Sequence, residues 1–311
     1  MSIMDRRISA TSRRTLPLVL VALLALAAIS LAAAQNTVAV SPAGVLVQGD
    51  PGQTLSGTLR LDNPTQDDAA VTTSVQDFAY NDKGELTFYA ADSFPTSAAS
   101  WITVNPVSAT IAAGGNESVR YSVDIPTDAT AGTHWAVLFF ETGTANPPTT
   151  GKTLATFKVR IGSVFYVNVG ESQPDGRIAG IAGVDSRPGL QYQFVIQYLN
   201  NGNVVSLLNG KVDVRNGAGD TVVSIPISRE VALPGATRLL KANMAGPLPA
   251  GDYDALVVLD PNNMDQEVAG EYPFHLDQAL AAPPTPPAPT GQSGSSGTAQ
   301  SGVGAPSGGS Q

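Results

Sequence analysis

The sequence predicts an all-β protein built as two tandem β-sandwich domains. Three observations support this prediction: 31 Gly and 23 Pro in 311 residues, a charged fraction of only 14%, and stretches in which apolar and polar residues alternate. Frequent Gly and Pro indicate many turns, and a period of two indicates strands with one buried face. The length leaves room for two domains between an N-terminal signal helix and a disordered C-terminal tail.

Residues 1–34 have the composition of an export signal. Four arginines precede the apolar run "LPLVLVALLALAAIS", and the small residues "AAA" that follow are typical of a signal-peptidase site. We expect cleavage after Ala34, which makes Gln35 the first mature residue. If uncleaved, the leader would be a membrane anchor, because its apolar segment nearly spans a bilayer. The motif "SRRTLPL" matches a twin-arginine signal only in part, so both general and twin-arginine export stay open.

Charge and cysteine content exclude several classes of function. The leader holds four basic residues and one acidic residue, so the mature chain keeps 13 of 17 basic and 25 of 26 acidic residues, a net charge of −12. We therefore expect no nucleic-acid partner. The absence of Cys excludes disulfides, cysteine-bound zinc and a cysteine nucleophile. Each domain must then be stabilised by its apolar core.

The first predicted domain covers residues 35–170. It opens with two short strands around Pro42, and Thr54–Asp62 alternates as a half-buried strand does. The segment Asn81–Gly84 is a predicted hairpin turn in which Gly84 supplies a positive φ. The apolar run "HWAVLFFE" is typical of a central sandwich strand, and Gly162 in the last strand suggests a bulge or bend.

The second predicted domain covers residues 171–278 and begins with the turn-rich linker "GESQPDG". Residues 279–311 are rich in Pro and then in Gly and Ser, without apolar periodicity. Such a segment buries too little surface to offset its conformational entropy, so we expect a disordered tail that folding does not need.

One strand unit recurs in both domains. "PGQTLSGTLRLDN" and "PGLQYQFVIQYLN" keep the same strand phase. "GNESVRYSV" then parallels "GATRLLKAN", and "AGTHWAVLFFE" parallels "AGDYDALVVLD". The same order and similar spacing indicate one β unit used twice. About seven strands in each domain would make both immunoglobulin-like sandwiches, with Trp101 or Trp135 filling the core in place of the usual disulfide.

Two family resemblances follow from these motifs. "ITVNPVSATIAAGGNESVRYSVDIPTDATAGTHWAVLFFE" and "FKVRIGSVFY" resemble the first domain of pilus-type, PapD-like periplasmic chaperones. "LRLDNPTQDDAAVTTSVQDFAYNDKGEL" and "YLNNGNVVSLLNGKVDVRNGAGDTVV" resemble bacterial surface proteins that carry the WxL-associated peptidoglycan-binding and host-surface-binding domains. The first resemblance implies an assembly chaperone, and the second implies a protein that binds a surface partner or peptidoglycan.

The chaperone resemblance also implies an anchor for a partner's terminal carboxylate. Pilus chaperones use an Arg on the first strand and a Lys on the last strand of domain one. Lys158 or Arg160 matches the second position, and they are our candidate anchor residues. The first strands, "TVAVSPAGVLVQGD", contain no basic residue, which departs from the chaperone pattern.

Candidate chemistry is otherwise sparse, and the sequence predicts no catalytic, cofactor-binding or metal-binding residues. His134 and His275 fall in different predicted domains, which makes a poor catalytic or metal set. The loop Asp260–Glu267 has oxygen ligands but lacks the central Gly and distal Glu of an EF-hand, so a polar hairpin turn is the preferred interpretation.

We therefore expect a non-enzymatic, exported protein of the periplasm or cell surface. Its predicted partner is an envelope or surface protein, or peptidoglycan, bound through strand addition at an open sheet edge. The alternatives are a pilus-type assembly chaperone and a structural component of the surface layer.

Overall fold

The computed structural model describes residues 38–144, 158–187 and 191–282. These residues form 17 strands and one 3-10 turn, Ala99–Trp101, which confirms the all-β prediction. The predicted leader, its cleavage site between Ala34 and Gln35, and residues 283–311 of the predicted tail lie outside this range. The tail was predicted to begin at residue 279, which is too early, because Leu280 is 3% exposed in the second core and pairs with Leu248. Among the described residues, no helix has the length and apolar character needed to cross a membrane.

The first sandwich contains ten strands in two sheets. One sheet has the order β1-β3-β8-β6, and the other has the order β2-β10-β9-β4-β5, with β7 also pairing with β4. The strands are β1 (Ala39–Ser41), β2 (Gly44–Gly49), β3 (Thr54–Asp62), β4 (Ala69–Tyr80), β5 (Leu86–Tyr89), β6 (Ile102–Asn105), β7 (Ser108–Ile111), β8 (Asn116–Asp124), β9 (Gly132–Thr144) and β10 (Val159–Val169).

The chain changes sheets at Pro42, between the two short strands that the sequence predicts there. β1 pairs antiparallel with β3 in one sheet, whereas β2 pairs parallel with β10 in the other. This switch divides the first strand in two, and the short strands β5, β6 and β7 add further pairings. The expectation of about seven strands was therefore wrong for the first sandwich.

The core of the first sandwich lies between its two sheets. Leu59 and Val119 of one sheet meet Leu138 and Phe165 of the other, and all four are fully buried or nearly so. Trp101 is 9% exposed and belongs to this core. Of the two tryptophans predicted as candidates for the core, Trp101 is therefore the one that fills it. The predicted hairpin is also confirmed, because β4 pairs with β5 and Gly84 has a φ of 82°.

The second sandwich contains seven strands, in the orders β11-β12-β15 and β14-β13-β16-β17. β12 pairs with β15 as β3 pairs with β8, and β16 lies in the opposite sheet as β9 does. The predicted recurrence of one strand unit is therefore confirmed as a structural repeat. The strands are β11 (Gly176–Arg187), β12 (Gln191–Asn200), β13 (Ser206–Arg215), β14 (Thr221–Ala232), β15 (Thr237–Ala245), β16 (Gly251–Pro261) and β17 (Val268–Leu276).

Aromatic rings take much of the space in the second core. Phe194, Ile196 and Tyr198 are fully buried, which is the phase that the sequence predicts for this strand. Phe194 and Phe274 pack edge to face with ring centroids 5.1 Å apart. The burial of these apolar side chains stabilises the sandwich without a disulfide.

Candidate functional site

The candidate site lies on the outer face of the larger sheet of the first sandwich. β9 runs through the middle of that sheet, between β10 and β4. Its inward side chains Leu138 and Phe140 enter the core, while Val137 and Phe139 point to the opposite face and are also buried. Burial on both faces explains why this strand is a continuous apolar run rather than an alternating one.

The second sandwich covers part of this outer face. Phe78, Val137 and Tyr166 of the first sandwich form one buried cluster with Val205 and Leu233 of the second. We call this set the interdomain cluster. The Trp135 indole packs against it and donates its N–H to the Phe78 carbonyl at 2.9 Å. The cluster fixes the second sandwich against the sheet that carries the site.

An apolar depression lies on the same outer face, and we call it the aromatic hollow. It has a volume of about 400 Å³. Leu86 and Phe88 of β5 are 41% and 43% exposed there, which is unusual for large apolar side chains. Phe88 packs edge to face on Phe139, with 4.8 Å between ring centroids. The residues around the hollow are Phe78, Leu86, Phe88, Val137, Phe139, Arg160, Gly162 and Val164.

A second depression, of about 560 Å³, lies between the two sandwiches and also contacts Val164. Leu46 on β2 borders this interdomain cleft and is 45% exposed. Arg229 and Glu230 of the second sandwich supply charged groups to the cleft. Tyr166 lines it as well, and burial, followed by the neighbouring Tyr80 hydroxyl, raises the pKa of the Tyr166 phenol.

Lys158 and Arg160 are both engaged by neighbours on this face. The Lys158 ammonium lies 2.6 Å from a Glu141 carboxylate oxygen. The Arg160 guanidinium lies 4.0 Å from the centroid of the Phe139 ring and donates to the Gln76 side-chain oxygen at 2.9 Å. A hydrogen bond from Lys158, and then the charges of Lys158 and Arg160, lower the pKa of Glu141. Arg160 therefore borders the aromatic hollow, whereas the cation in the interdomain cleft is Arg229.

Gly162 does not form the predicted bulge or bend. β10 and β9 pair in unbroken register from Val159 to Val169, with Gly162 opposite Phe139. A Cβ on Gly162 would lie 2.9 Å from a Val137 methyl carbon and 3.3 Å from the Phe139 ring. Glycine is needed here because two bulky side chains of β9 lean over the backbone, and that contact leaves no local sequence signal.

One edge of β10 is incompletely paired. β9 pairs with β10 along its whole length, but β2 pairs only with residues 164–169. Within the described parts of the chain, no strand pairs with β10 on the β2 side between Val159 and Ser163. The Val164 N–H bonds to the Ala43 carbonyl on that side. Because backbone groups alternate along a strand, the N–H and C=O of Arg160 and Gly162 also face this open edge.

The other candidate residues have structural surroundings. His134 is buried, with its Nε2 atom 3.0 Å from the Thr130 carbonyl and its ring against Trp101. His275 is paired with Asp252 at the surface of the second sandwich. In residues 38–144, 158–187 and 191–282, no three His, Cys, Asp or Glu side chains are grouped as metal ligands.

The loop Asp260–Glu267 is a hairpin turn between β16 and β17, as the preferred interpretation of the sequence states. Asn262 accepts the Leu207 N–H at 3.0 Å, and Asn263 donates to the Val205 carbonyl at 3.0 Å. These two amides attach the turn to β13, which explains the polar composition of the loop without a metal ion.

Sequence reasoning missed Leu86 and Phe88, and it predicted a bulge or bend at Gly162 where the structure has a close contact with β9. The signal for the first two was the short alternation "LTFY" directly after the hairpin turn, which places Leu86 and Phe88 on one face of an edge strand. This face of β5 is exposed because the second sandwich covers only part of the sheet. The extent of that cover is a property of the tertiary structure.

No protein-family model matches the sequence, and no curated protein matches it significantly. Solved structures of similar architecture include the class 5 fimbriae chaperone CfaA, at 11% identity and a TM-score of 0.42, covering 76% of this chain and 98% of that one. The E. coli chaperone DraB aligns at 13% identity and a TM-score of 0.40, covering 76% and 98%. A chain of the Salmonella enterica SafA pilin–SafB chaperone complex aligns at 18% identity and 0.39, covering 78% and 96%.

These similarities concern the two-domain immunoglobulin-like fold alone. By their names, two of these structures are chaperones and the third is a pilin–chaperone complex, and all three TM-scores lie below 0.5. The resemblance to WxL-associated surface proteins gains no support from the comparisons.

Proposed function

We propose that this exported chain acts as an assembly chaperone, which holds an extended segment of another envelope protein as an added strand beside β10. The observation that carries the proposal is that, among the residues the structure describes, no strand pairs with Val159–Ser163 of β10 on its β2 side. Unpaired N–H and C=O groups along a strand edge are a template for pairing with another chain.

The chemistry of the neighbouring surface favours a protein segment over a wall polymer. Among the described residues, the aromatic hollow beside this edge is lined by aromatic and aliphatic side chains and by one cation, Arg160. Apolar side chains of a partly folded protein gain free energy by leaving water in such a place. A polysaccharide such as peptidoglycan instead needs several polar groups to replace the hydrogen bonds that its hydroxyls lose.

A purely structural surface component is also a weaker candidate. Proteins without an edge-binding function usually protect an open edge with charge, proline, a bulge or a covering segment. Here Lys158 and Arg160 supply charge beside the edge, but each is engaged by a neighbour on its own sheet. The edge also continues into a surface with two exposed large apolar side chains, Leu86 and Phe88. A strand edge next to exposed apolar side chains is suited to binding another polypeptide.

Single-cysteine crosslinking in the native host tests the proposal, because the chain has no cysteine of its own. Lys158→Cys places a benzophenone-maleimide probe at the open edge. Val184→Cys is the matched control, since Val184 is 51% exposed on β11, an edge strand of the second sandwich. We expect the first probe to capture an exported protein through one defined segment, identified by mass spectrometry, and the second to capture none.

The captured segment then tests the binding mode. A synthetic copy is methylated at one backbone nitrogen at a time. Strand addition predicts that affinity falls at every second position, because alternate N–H groups face β10. Equal capture by the two probes, or methylation effects without a period of two, would contradict strand addition at this edge.

A further inference from the structure

A strand added beside β10 would present alternate side chains to the outer face of the sheet. On that face the side chain at position 160 is the Arg160 guanidinium, and position 162 has none. Residues directly opposite each other in paired strands have Cβ atoms about 5 Å apart, and long side chains reach the diagonal neighbours. The surroundings of Arg160 and Gly162 therefore determine which outward-facing residues of the partner bind favourably.

Gly162 connects the open edge with the aromatic hollow. Arg160 and Val164, its neighbours on the same face, both carry side chains that border the hollow. Between them, a Val137 methyl group and the Phe139 ring lie over Gly162, so an added strand beside Gly162 faces these two apolar side chains of the hollow. A large side chain opposite Gly162 can thus pack across the β10 backbone on Phe139.

The surfaces of the hollow fit an apolar group. Phe88, Phe139 and Val137 line it, and Leu86 and Phe88 are exposed there. Offset or edge-to-face packing of a further ring would extend the Phe88–Phe139 pair, whose centroids are 4.8 Å apart. A phenylalanine-sized residue removes more of this surface from water than a small one does.

The charges beside the hollow are not balanced. In the described part of the chain, Glu141 is the carboxylate that both Lys158 and Arg160 influence, and Lys158 holds it at 2.6 Å. The hydrogen-bond acceptor at the Arg160 guanidinium is the neutral Gln76 amide. This part of the surface therefore carries an excess positive charge. Arg160 lies two residues before Gly162, on the same face of β10.

From these observations we infer that the site selects a strand with a large apolar residue and an acidic residue two positions apart. The apolar side chain packs on the aromatic hollow beside Gly162, and the carboxylate pairs with Arg160. Two residues is the spacing that places both groups on one face of a strand. This inference rests on the proposed strand addition and specifies the segment that it captures.

Designed peptides test the pair directly. The probe is Lys-Thr-Val-Thr-Phe-Thr-Asp-Thr-Val-Lys, in which Phe and Asp share a face, and the reference peptide has Ala and Asn in their places. Binding to the full chain is measured by isothermal calorimetry. We expect the probe to bind at least about tenfold more tightly than the reference, since it adds a charge-assisted hydrogen bond and a buried ring.

Protein variants assign the gain to the two contacts. Phe88→Ala should remove the preference for Phe, whereas the matched control Tyr89→Ala should keep it, because Tyr89 lies on the other face of β5 and packs on Phe94. Arg160→Glu should reverse the preference, so that a peptide with Lys in place of Asp binds better than the probe. Circular dichroism checks that each variant is folded.

Equal affinity of probe and reference peptides would overturn the selectivity and leave strand addition intact. Binding of neither peptide would also overturn it, and the cysteine crosslink at position 158 then decides strand addition on its own. An unchanged probe preference in folded Phe88→Ala would show that the hollow is not the site of the apolar contact.

Discussion

The Thr133 hydroxyl of the first sandwich accepts the backbone N–H of Val205 in the second sandwich at 2.8 Å. The same hydroxyl donates to the Asn168 side-chain oxygen at 2.6 Å, and the Thr133 N–H bonds to the Asn203 carbonyl at 2.8 Å. Thr133 is almost fully buried. Two hydrogen bonds from this residue to the second sandwich therefore fix its position beside the site, and the bond to Asn168 of β10 orients the hydroxyl.

Thr133→Val should weaken this connection between the sandwiches. The substitution keeps the shape of the side chain but leaves the Val205 N–H buried without its acceptor, which costs about 1–3 kcal/mol. We expect faster hydrogen exchange at the Val205 amide and a lower melting temperature. Thr133→Ser keeps the hydroxyl and is the control. Equal exchange at Val205 in the wild type and Thr133→Val would show that this hydrogen bond does not hold the sandwiches together.

Gly84→Ala should destabilise the contact between the β4–β5 turn and the second sandwich. Gly84 has a φ of 82°, and a Cβ there would overlap the Arg238 guanidinium. Arg238 is itself held by Glu230 at 2.6 Å, so it has little freedom to move away. A left-handed conformation alone costs a residue with a side chain about 1–2 kcal/mol, and the collision adds to that.

Gly114→Ala separates the two effects. Gly114 has a φ of 67° but no heavy atom within 4 Å of the added Cβ, so it reports backbone strain alone. In urea denaturation, Gly84→Ala should lose more stability than Gly114→Ala. Equal losses would mean that the Arg238 contact contributes nothing measurable.

The candidate anchor residues should contribute unequally to partner binding. Replacing both Lys158 and Arg160 by Ala should reduce affinity for the captured segment at least about tenfold, since each charged hydrogen bond contributes roughly 1.5–3 kcal/mol. Arg160→Ala should account for most of the loss, because Lys158 is already paired with Glu141. Titration calorimetry of the two single variants and the double variant measures this. Full affinity in a folded double variant would remove both residues from the binding site.

The chain should lose stability in alkali through Tyr192. Burial, and then the neighbouring Tyr272, raise the pKa of the Tyr192 phenol from 10 to about 12. Between these values the unfolded state releases a proton that the folded state keeps. The contribution of Tyr192 is therefore complete below pH 10 and is lost as the pH rises towards 12.

Tyr192→Phe tests this linkage, since it keeps the ring that stacks on Phe274 with 4.9 Å between centroids. The free energy of unfolding of the variant should fall less steeply between pH 10 and 12 than that of the wild type. Parallel curves for the two proteins would contradict the raised pKa.

Much of the fold follows from local patterns in the sequence. The alternation of Leu59 and Leu61 predicts the buried face of β3, and Gly84 in "NDKG" predicts the β4–β5 hairpin. Period-two alternation works because one face of each such strand meets its own core. Gly162 is the counterexample. Glycine is required there by the side chains of Val137 and Phe139, more than twenty residues earlier, and not by its neighbours in the sequence.

The sequence by itself determined the all-β class, the repeated strand unit and Lys158 and Arg160 as candidate contacts. Only the tertiary structure decided that β2 begins pairing at Val164, so that no described strand pairs with the preceding part of β10 on that side. It also decided that Phe88, Phe139 and Gly162 border one hollow. The physical reason is that alternation records which face of a strand avoids water, but not which distant element covers it. Register and interdomain packing, which form across long sequence separations, make that choice.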